Sequence, residues 1–415
     1  MKLLLIFGAT VMSFTLVMLS IPAILRVARA KHLFEPFEER KVHVQLVPSF
    51  GGVAIFIGFL LTVTIFSYQM DFHAPRYIIA AITLMLFIGL KDDLVAISPR
   101  KKFMIQVWAA LILIVLGNLR FTNLHGILGI YEINYVSSLL ITLFTIITVT
   151  NAFNLIDGVD GLASGLAIMA ATVFGTWFYL AGYHTFAIVC AALAGGLVAF
   201  FLFNVFGNFN KLFLGDSGSL ILGIILSTLI IKFNESNIVQ NSTYFVKSAP
   251  TVSFAIVIVA MVDMLRVMSI RILQKKSPFY PDKNHIHHYL LKLYRNHLKV
   301  TITLLLTNIL LIGISILFSY SALNLTVQFL LLILIAMSLS LIPWFILLNR
   351  FPKARNRKLR KKLDVLPTLV YPYHMNNFNG LRMHGVNIGK EETSDRREKR
   401  SNGKEKIRLT QNQYS

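Results

Sequence analysis

The sequence predicts an all-α, polytopic membrane protein with about eleven transmembrane helices, on three observations. Hydrophobic residues make up 55% of the 415 and charged residues only 14%, well under the roughly 25% charged content of a soluble domain. Apolar runs of about 15–23 residues, long enough to cross a bilayer, recur along the chain. Lys and Arg fall almost wholly on alternate connections between those runs, the pattern of positive charge held on the cytoplasmic side.

The runs begin near Leu3, Gly52, Tyr77, Phe103, Val136, Leu162, Thr185, Ser219, Thr251, Val300 and Val327. The first extends to Leu25. It exceeds the roughly 7–15 residues of a signal-peptide core and is expected to be a retained span, although "ARA" at Ala28–Ala30 offers small residues of the kind found at cleavage sites. With the N-terminus outside, one set of loops carries seventeen Lys and Arg: Arg26, Arg29, Lys31, Arg40, Lys41, Lys91, Arg100, Lys101, Lys102, Lys211, Arg271, Lys275, Lys276, Lys283, Lys292, Arg295 and Lys299. The opposite set carries four, Arg76, Arg120, Lys232 and Lys247. Eleven spans then put the C-terminus in the cytoplasm. Residues 1–349 form the transmembrane domain with cytoplasmic loops. Hydropathy collapses after Asn349, and 350–415, opening on "RFPKARNRKLRKKLD", reads as a basic, disordered cytoplasmic tail lying on anionic lipid.

The formal net charge of +21 points in such a protein to lipid headgroups or a polyphosphate substrate, and not to nucleic acid. Cys190 is the only cysteine, so no internal disulfide forms.

Four polar motifs interrupt the apolar pattern, and the orientation read from Lys and Arg places all four on the cytoplasmic side. In "GLKDDLVAISPRKKF", Asp92 and Asp93 are adjacent carboxylates whose repulsion a cation would relieve, with Lys102 nearby. Hard oxygen donors of this kind suit Mg²⁺. In "NAFNLIDGVDGLASG", Asn151, Asn154, Asp157 and Asp160 recur every three residues, a spacing that keeps neighbours on one slowly drifting helix face. Gly158 and Gly161 leave room for a ligand beside the backbone. In "KLFLGDSGSLILG", Asp216 stands between glycines before an apolar helix; it reads as a helix cap or as part of a phosphate site built on free backbone N–H groups. In "SPFYPDKNHIHHYLL", His285, His287 and His288 cluster beside Asp282 and Lys283, spaced too tightly for a zinc site and rich in donors for phosphate or sugar. A weaker element, "RKVHVQLVPSFGG", adds Lys41 and His43 as phosphate contacts. Carboxylates, glycines, histidines and cations on one membrane face fit metal-assisted chemistry on phosphorylated substrates.

At these motifs the chain resembles the polyprenyl-phosphate N-acetylhexosamine-1-phosphate transferases, integral membrane enzymes of bacterial envelope glycan synthesis. "KDDL", "NAFNLIDGVDG", "FLGDSGSL" and "HIHH" carry the resemblance, in order, from Arg40 to about Leu291. It implies transfer of a sugar 1-phosphate from a UDP-N-acetylhexosamine to undecaprenyl phosphate at the cytoplasmic face of the bacterial cell membrane, with release of UMP. The "HIHH" form resembles the branch that uses UDP-GlcNAc; the branch that uses UDP-MurNAc-pentapeptide is the second reading, and a secondary transporter is the reading from another class. The resemblance implies Mg²⁺, or Mn²⁺, held by Asp216 and Asp157. Asp92, Asp93, Asp157 and Asp160 take catalytic places. Asn154, Lys41, His43, Lys102, His285, His287 and His288 take substrate-binding places, and a homodimer is the expected assembly. Family members often carry a further acid after "DD"; here those positions are Leu94, Val95 and Ala96.

Overall fold

The computed structural model describes residues 2–33, 47–67, 72–239, 243–275 and 284–350. Every apolar run forms a helix that starts within about four residues of the expected position. In order these are α1 (Lys2–Ala30), α2 (Gly51–Phe66), α3 (His73–Leu94), α4 (Pro99–Leu111, continued by a π-helical turn, Ile112–Leu116), α5 (Tyr135–Ile156), α6 (Leu162–Leu180), α7 (His184–Phe206), α8 (Gly215–Ser236), α9 (Ala249–Leu273), α11 (His297–Ser319) and α12 (Leu325–Arg350). One short helix, α10 (Ile286–Tyr294), was not expected. It carries part of the histidine motif and is too short to register as an apolar run.

Among the described residues eight helices, α1, α5 to α9, α11 and α12, are long and apolar enough to cross a membrane. Of the other three expected spans, α2 has only 16 residues. α3 ends on Lys91, Asp92 and Asp93, and α4 begins on Arg100, Lys101 and Lys102. The chain is therefore a multi-pass membrane protein of helices with little sheet. Large apolar side chains such as Leu19, Phe87, Trp108, Phe144, Leu317 and Leu334 remain exposed on its outer surface, as lipid contact allows.

α8 is the centre of the bundle: 89% of its most apolar stretch is buried, against 22% for α1 and α12. Since apolar lipid gives no hydrophobic drive for helices to associate, close packing and interhelical hydrogen bonds do the work. Ser13 Oγ donates to the Ala192 carbonyl at 2.6 Å, tying α1 to α7. Asn234 Nδ2 donates to Ser253 Oγ at 2.8 Å, tying α8 to α9. Asn308, fully buried on α11, accepts from Val259 N–H at 3.2 Å and donates to the Ile256 carbonyl at 3.1 Å on α9.

The connection from α4 to α5 holds a hairpin, β1 (Asn123–Ile127) and β2 (Ile130–Glu132), which apolar-run scanning does not detect. It is anchored by Glu235 of α8, which accepts from Thr122 N–H at 2.8 Å and Thr122 Oγ1 at 2.7 Å. Thr326 Oγ1 of α12 accepts from Leu128 N–H at 2.8 Å.

Candidate active site

The polar motifs meet at the end of the bundle where α3, α5 and α7 finish and α8 and α11 begin. The first contact joins α3 to α8. Asp93, at the last turn of α3 and only 7% exposed, accepts from the backbone N–H of Asp216 (2.7 Å) and Ser217 (3.2 Å), and from Ser217 Oγ (2.9 Å). A carboxylate brought in from another helix thus caps α8 and meets the positive end of its dipole. Two expectations change here. Asp216 is not the cap of its own helix, and the N–H groups of Asp216 and Ser217 are taken by Asp93.

Asp92, one residue earlier, turns the other way. Its Oδ1 accepts from Ile97 N–H at 2.7 Å and its Oδ2 pairs with Lys102 Nζ at 3.0 Å. The same ammonium lies 3.1 Å from Asp216 Oδ1, so Lys102 of α4 bridges the first and third motifs, linking Asp92 of α3 to Asp216 of α8. Asn154 Nδ2 also donates to Asp216 Oδ1 and, at 2.9 Å, to Ser219 Oγ.

The Asn–Asp series does not lie on one helix. α5 ends at Ile156 and Asp157 is its C-terminal flanking residue. The chain then turns, with Gly161 at φ +76, before α6 begins at Leu162. Asp157 leaves helical geometry at ψ 56, which breaks the helical repeat; the left-handed conformation at Gly161 is one that only glycine adopts freely. Asn151 and Asn154 remain on α5, where Asn151 Nδ2 donates to Gln106 Oε1 at 3.0 Å. Asp157 and Asp160 sit in the loop and face different surroundings. Asp160 pairs with Lys211 Nζ at 2.6 Å and His297 Nδ1 at 3.0 Å. Burial raises its carboxyl, but His297 and Lys211 outweigh that and hold it below the usual range. Asp157 has no hydrogen bond or ion pair to its carboxylate among the described residues. Burial first, and then the charges of Asp216, Asp93 and Asp160, push it up to about 8.

The histidine motif is built on two residues that the sequence reading passed over, Asp263 and Arg266 of α9. Asp263 Oδ2 accepts from His285 Nδ1 at 2.8 Å; its Oδ1 accepts from Ile286 N–H at 2.7 Å and Arg266 Nη2 at 2.9 Å. Arg266 also donates to the Asn284 carbonyl at 2.6 Å. Both are almost fully buried, at 2% and 3% exposure. An Asp and an Arg three residues apart inside an apolar run was the signal available. His287 packs between the other two rings, 5.5 Å from His285 and 4.3 Å from His288 between centroids. Burial, aided by His288 and His285 against the pull of Asp263, holds it down to about 3, so it is neutral. Its Nδ1 has no hydrogen-bond partner among the described residues, and its Nε2 faces Gly158.

Asp92, Asp93, Lys102, Asn154, Asp157, Asp160, Asp216 and the histidines therefore belong to one site. Lys41 and His43 lie outside the described residues, as does Lys283. Lys211 and His297 are additions, for which sequence spacing offers no signal.

The donor set also tests a metal. Among the described residues no three His, Cys, Asp or Glu side chains converge on one point, which excludes a closed protein cage there. Mg²⁺ asks for less: one or two carboxylates, with water and substrate phosphate completing the shell. Asp157, a half-buried carboxylate surrounded by other carboxylates, is a group that a cation would stabilise, and Asp216 is the neighbour first among them. The residues fit Mg²⁺.

Comparison with known proteins gives the same direction. The model of glycosyl transferase family 4 matches residues 75–234, a window that holds Asp92, Asp93, Asp157, Asp160 and Asp216 but not Asp263. The undecaprenyl-phosphate alpha-N-acetylglucosaminyl 1-phosphate transferase of Escherichia coli (strain K12) is 28% identical over 351 residues, covering 83% of this chain and 93% of that protein. The protein of the same description from Haemophilus influenzae is 32% identical over 261 residues, covering 61% of this chain and 70% of that protein. That from Salmonella typhimurium is 26% identical over 337 residues, 80% of this chain and 89% of that protein. On these matches the chain belongs to glycosyl transferase family 4.

Proposed function

We propose that this protein transfers N-acetylglucosamine 1-phosphate from UDP-GlcNAc to undecaprenyl phosphate, releasing UMP and forming the diphosphate-linked lipid. The observation that carries the reading is the meeting of Asp92, Lys102, Asp157 and Asp216 with the histidine motif at one end of a membrane bundle. A site there serves one substrate from lipid and one from water. The relatives' common description supplies the substrate pair. A transporter would need its ionisable groups near the bilayer midplane with access from both sides; here Asp92, Asp93, Asp157, Asp160 and Asp216 gather at helix ends, and Asp263 within α9 is paired with Arg266.

In the reaction an oxygen of the lipid phosphate forms a bond to the phosphorus attached to the sugar, and the bond from that phosphorus to the UMP oxygen breaks. The second pKa of a phosphate monoester is about 6, so the acceptor is largely dianionic at neutral pH and asks little of a general base. Asp157 and Asp216 would hold Mg²⁺, which supplies charge neutralisation for the diphosphate and the leaving UMP. Lys102, released from its carboxylates or shared with them, meets phosphate charge. Asp92 orients Lys102, and Asp93 fixes the start of α8 beneath Asp216. Neutral His287 and its neighbours His285 and His288 offer ring N–H donors to the sugar or diphosphate. Asp160 is paired with Lys211 and held by His297 and serves the loop.

The excess of Lys and Arg on one set of loops supports an eleven-span topology in the bacterial cytoplasmic membrane with the site facing the cytosol. The basic tail supports contact with anionic lipid there, and a homodimer is the proposed assembly. The test is UMP release by the purified full chain given undecaprenyl phosphate, Mg²⁺ and a panel of UDP-sugars. UDP-GlcNAc is expected to lead the panel; preference for UDP-MurNAc-pentapeptide would refute the assignment of the donor.

A further inference from the structure

Nothing among the described residues bonds the Asp157 carboxylate, so the backbone on either side sets its position. That backbone is gripped from one corner of the molecule. α10 and α11 meet at Arg295, in the left-handed region at φ 52, and at Asn296, whose Oδ1 caps α11 by accepting from Lys299 N–H at 3.0 Å. From the α10 side, buried His287 presses on Gly158: a Cβ there would stand 2.5 Å from its Nε2. From the α11 side, His297 Nδ1 lies 3.0 Å from Asp160 Oδ2 and 3.3 Å from Asp160 N. One turn further, Thr301 Oγ1 donates to the Asp160 carbonyl at 2.8 Å. Positions 297 and 301 share a helix face, so α11 takes hold of both the side chain and the main chain of one residue. Lys211 closes on Asp160 from the α7–α8 connection at 2.6 Å. Asn204 Oδ1 accepts from Gly161 N–H at 2.6 Å.

We propose that His297 is a positioning residue for the transfer reaction: through Asp160 it fixes the loop that presents Asp157 to the reacting phosphates. The proposal rests on the reaction assigned above. With a proton on Nδ1 the ring donates to Asp160 Oδ2, and without one Nδ1 accepts from Asp160 N–H; both ties run through the Nδ1 position. A side chain that offers N–H at the Nδ1 position preserves the bond to Oδ2, and one that offers N–H farther out does not. Asn meets the first condition. Gln, whose amide nitrogen falls nearer Nε2, meets the second.

The experiment compares full-length wild type with His297→Leu, His297→Asn and His297→Gln in detergent. Fold is checked by the accessibility of Cys190, and turnover by UMP release. His297→Leu is expected to lower kcat about tenfold or more with KM for the UDP-sugar within about twofold, because the donor's own contacts are intact. His297→Asn recovers at least half of wild-type kcat, and His297→Gln stays low. Amide hydrogen exchange supplies a readout independent of turnover: exchange across residues 157–165 rises about tenfold in the Leu and Gln variants and not in the Asn variant. Wild-type kcat in His297→Leu overturns the proposal. So does a rise in KM at unchanged kcat, which would make His297 a donor contact. If His297→Leu does not fold, the Asn and Gln variants carry the same contrast, and equal kcat in those two overturns it. A wild type that releases no UMP refutes the reaction; exchange then decides the clamp, and unchanged exchange in the Gln variant overturns it.

Discussion

Replacing Asp93 separates two roles that adjacent carboxylates can play. Asp93→Ala strands three donors at the buried start of α8: the N–H groups of Asp216 and Ser217 and the Ser217 hydroxyl. Each buried donor left unpaired costs about 1–3 kcal/mol, and loss of a helix cap alone costs about 0.5–2 kcal/mol. These contributions overlap, so about 3–5 kcal/mol is the expected loss for Ala. Asn keeps the shape and one carbonyl oxygen, and about 1–2 kcal/mol is expected. The chain contains its own reporter of unfolding. Cys190 is the sole cysteine and is 1% exposed, so a thiol-reactive dye labels only unfolded protein. For Ala the melting temperature is expected to fall by about 5–10 °C, and for Asn by a few degrees. Turnover in Asp93→Asn, assayed below its melting range, should stay above about a tenth of wild type, because the residue acts on Asp216 through the helix. An Asp93→Asn protein with an unchanged melting temperature and turnover below about a thousandth of wild type would refute the capping role and make Asp93 a reacting group.

Three further outcomes follow from the site. Lys102→Met leaves Asp92 and Asp216 without their shared ammonium; UMP release should fall at least about a hundredfold, in line with loss of a buried charge partner. Gly158→Ala drives a methyl into the ring of His287, and such overpacking costs about 1–3 kcal/mol. The UDP-sugar KM should rise in the UMP assay as the histidine rings shift. Asp157 has a folded value of about 8 against about 3.9 unfolded. Between those values the folded state holds more protons, so stability falls as pH rises. Melting curves of wild type from pH 5 to 8.5 should show that slope, Asp157→Asn should reduce it, and Mg²⁺ should reduce it in wild type by favouring the ionised form.

The helices were legible because a bilayer demands long apolar runs, and the runs survive in sequence whatever packs against them. The hairpin at 123–132 and α10 were not, since both are short and neither must span anything. The site was legible as a set of motifs but not as a set of contacts. Nothing in the spacing says that Asp93 reaches 123 residues ahead to cap α8, or that Asp160 is met by Lys211 and His297. The three-residue repeat from Asn151 to Asp160 promised one helix face. The end of α5 at Ile156 parts the asparagines from the aspartates, and in the loop that follows Asp157 and Asp160 meet opposite electrostatic fates. Asp263 and Arg266 are visible in the sequence as ionisable residues in an apolar run, but nothing in the spacing says that His285, 22 residues on, returns to Asp263.

The Asp263–Arg266 pair also bears on how the chain enters the membrane. A charged side chain at mid-helix resists insertion by about 2.5–3.5 kcal/mol, and Asp160 finds Lys211 only after two further helices have been made. α9 differs, because its acid and base stand three residues apart and already touch at 2.9 Å within one helix. This helix can leave the insertion machinery as an internally neutralised segment, before any neighbour is in place. The acceptor on which the histidine motif later assembles is thus ready when residues 284–286 emerge, and the last helices close over a platform that needed no partner to form.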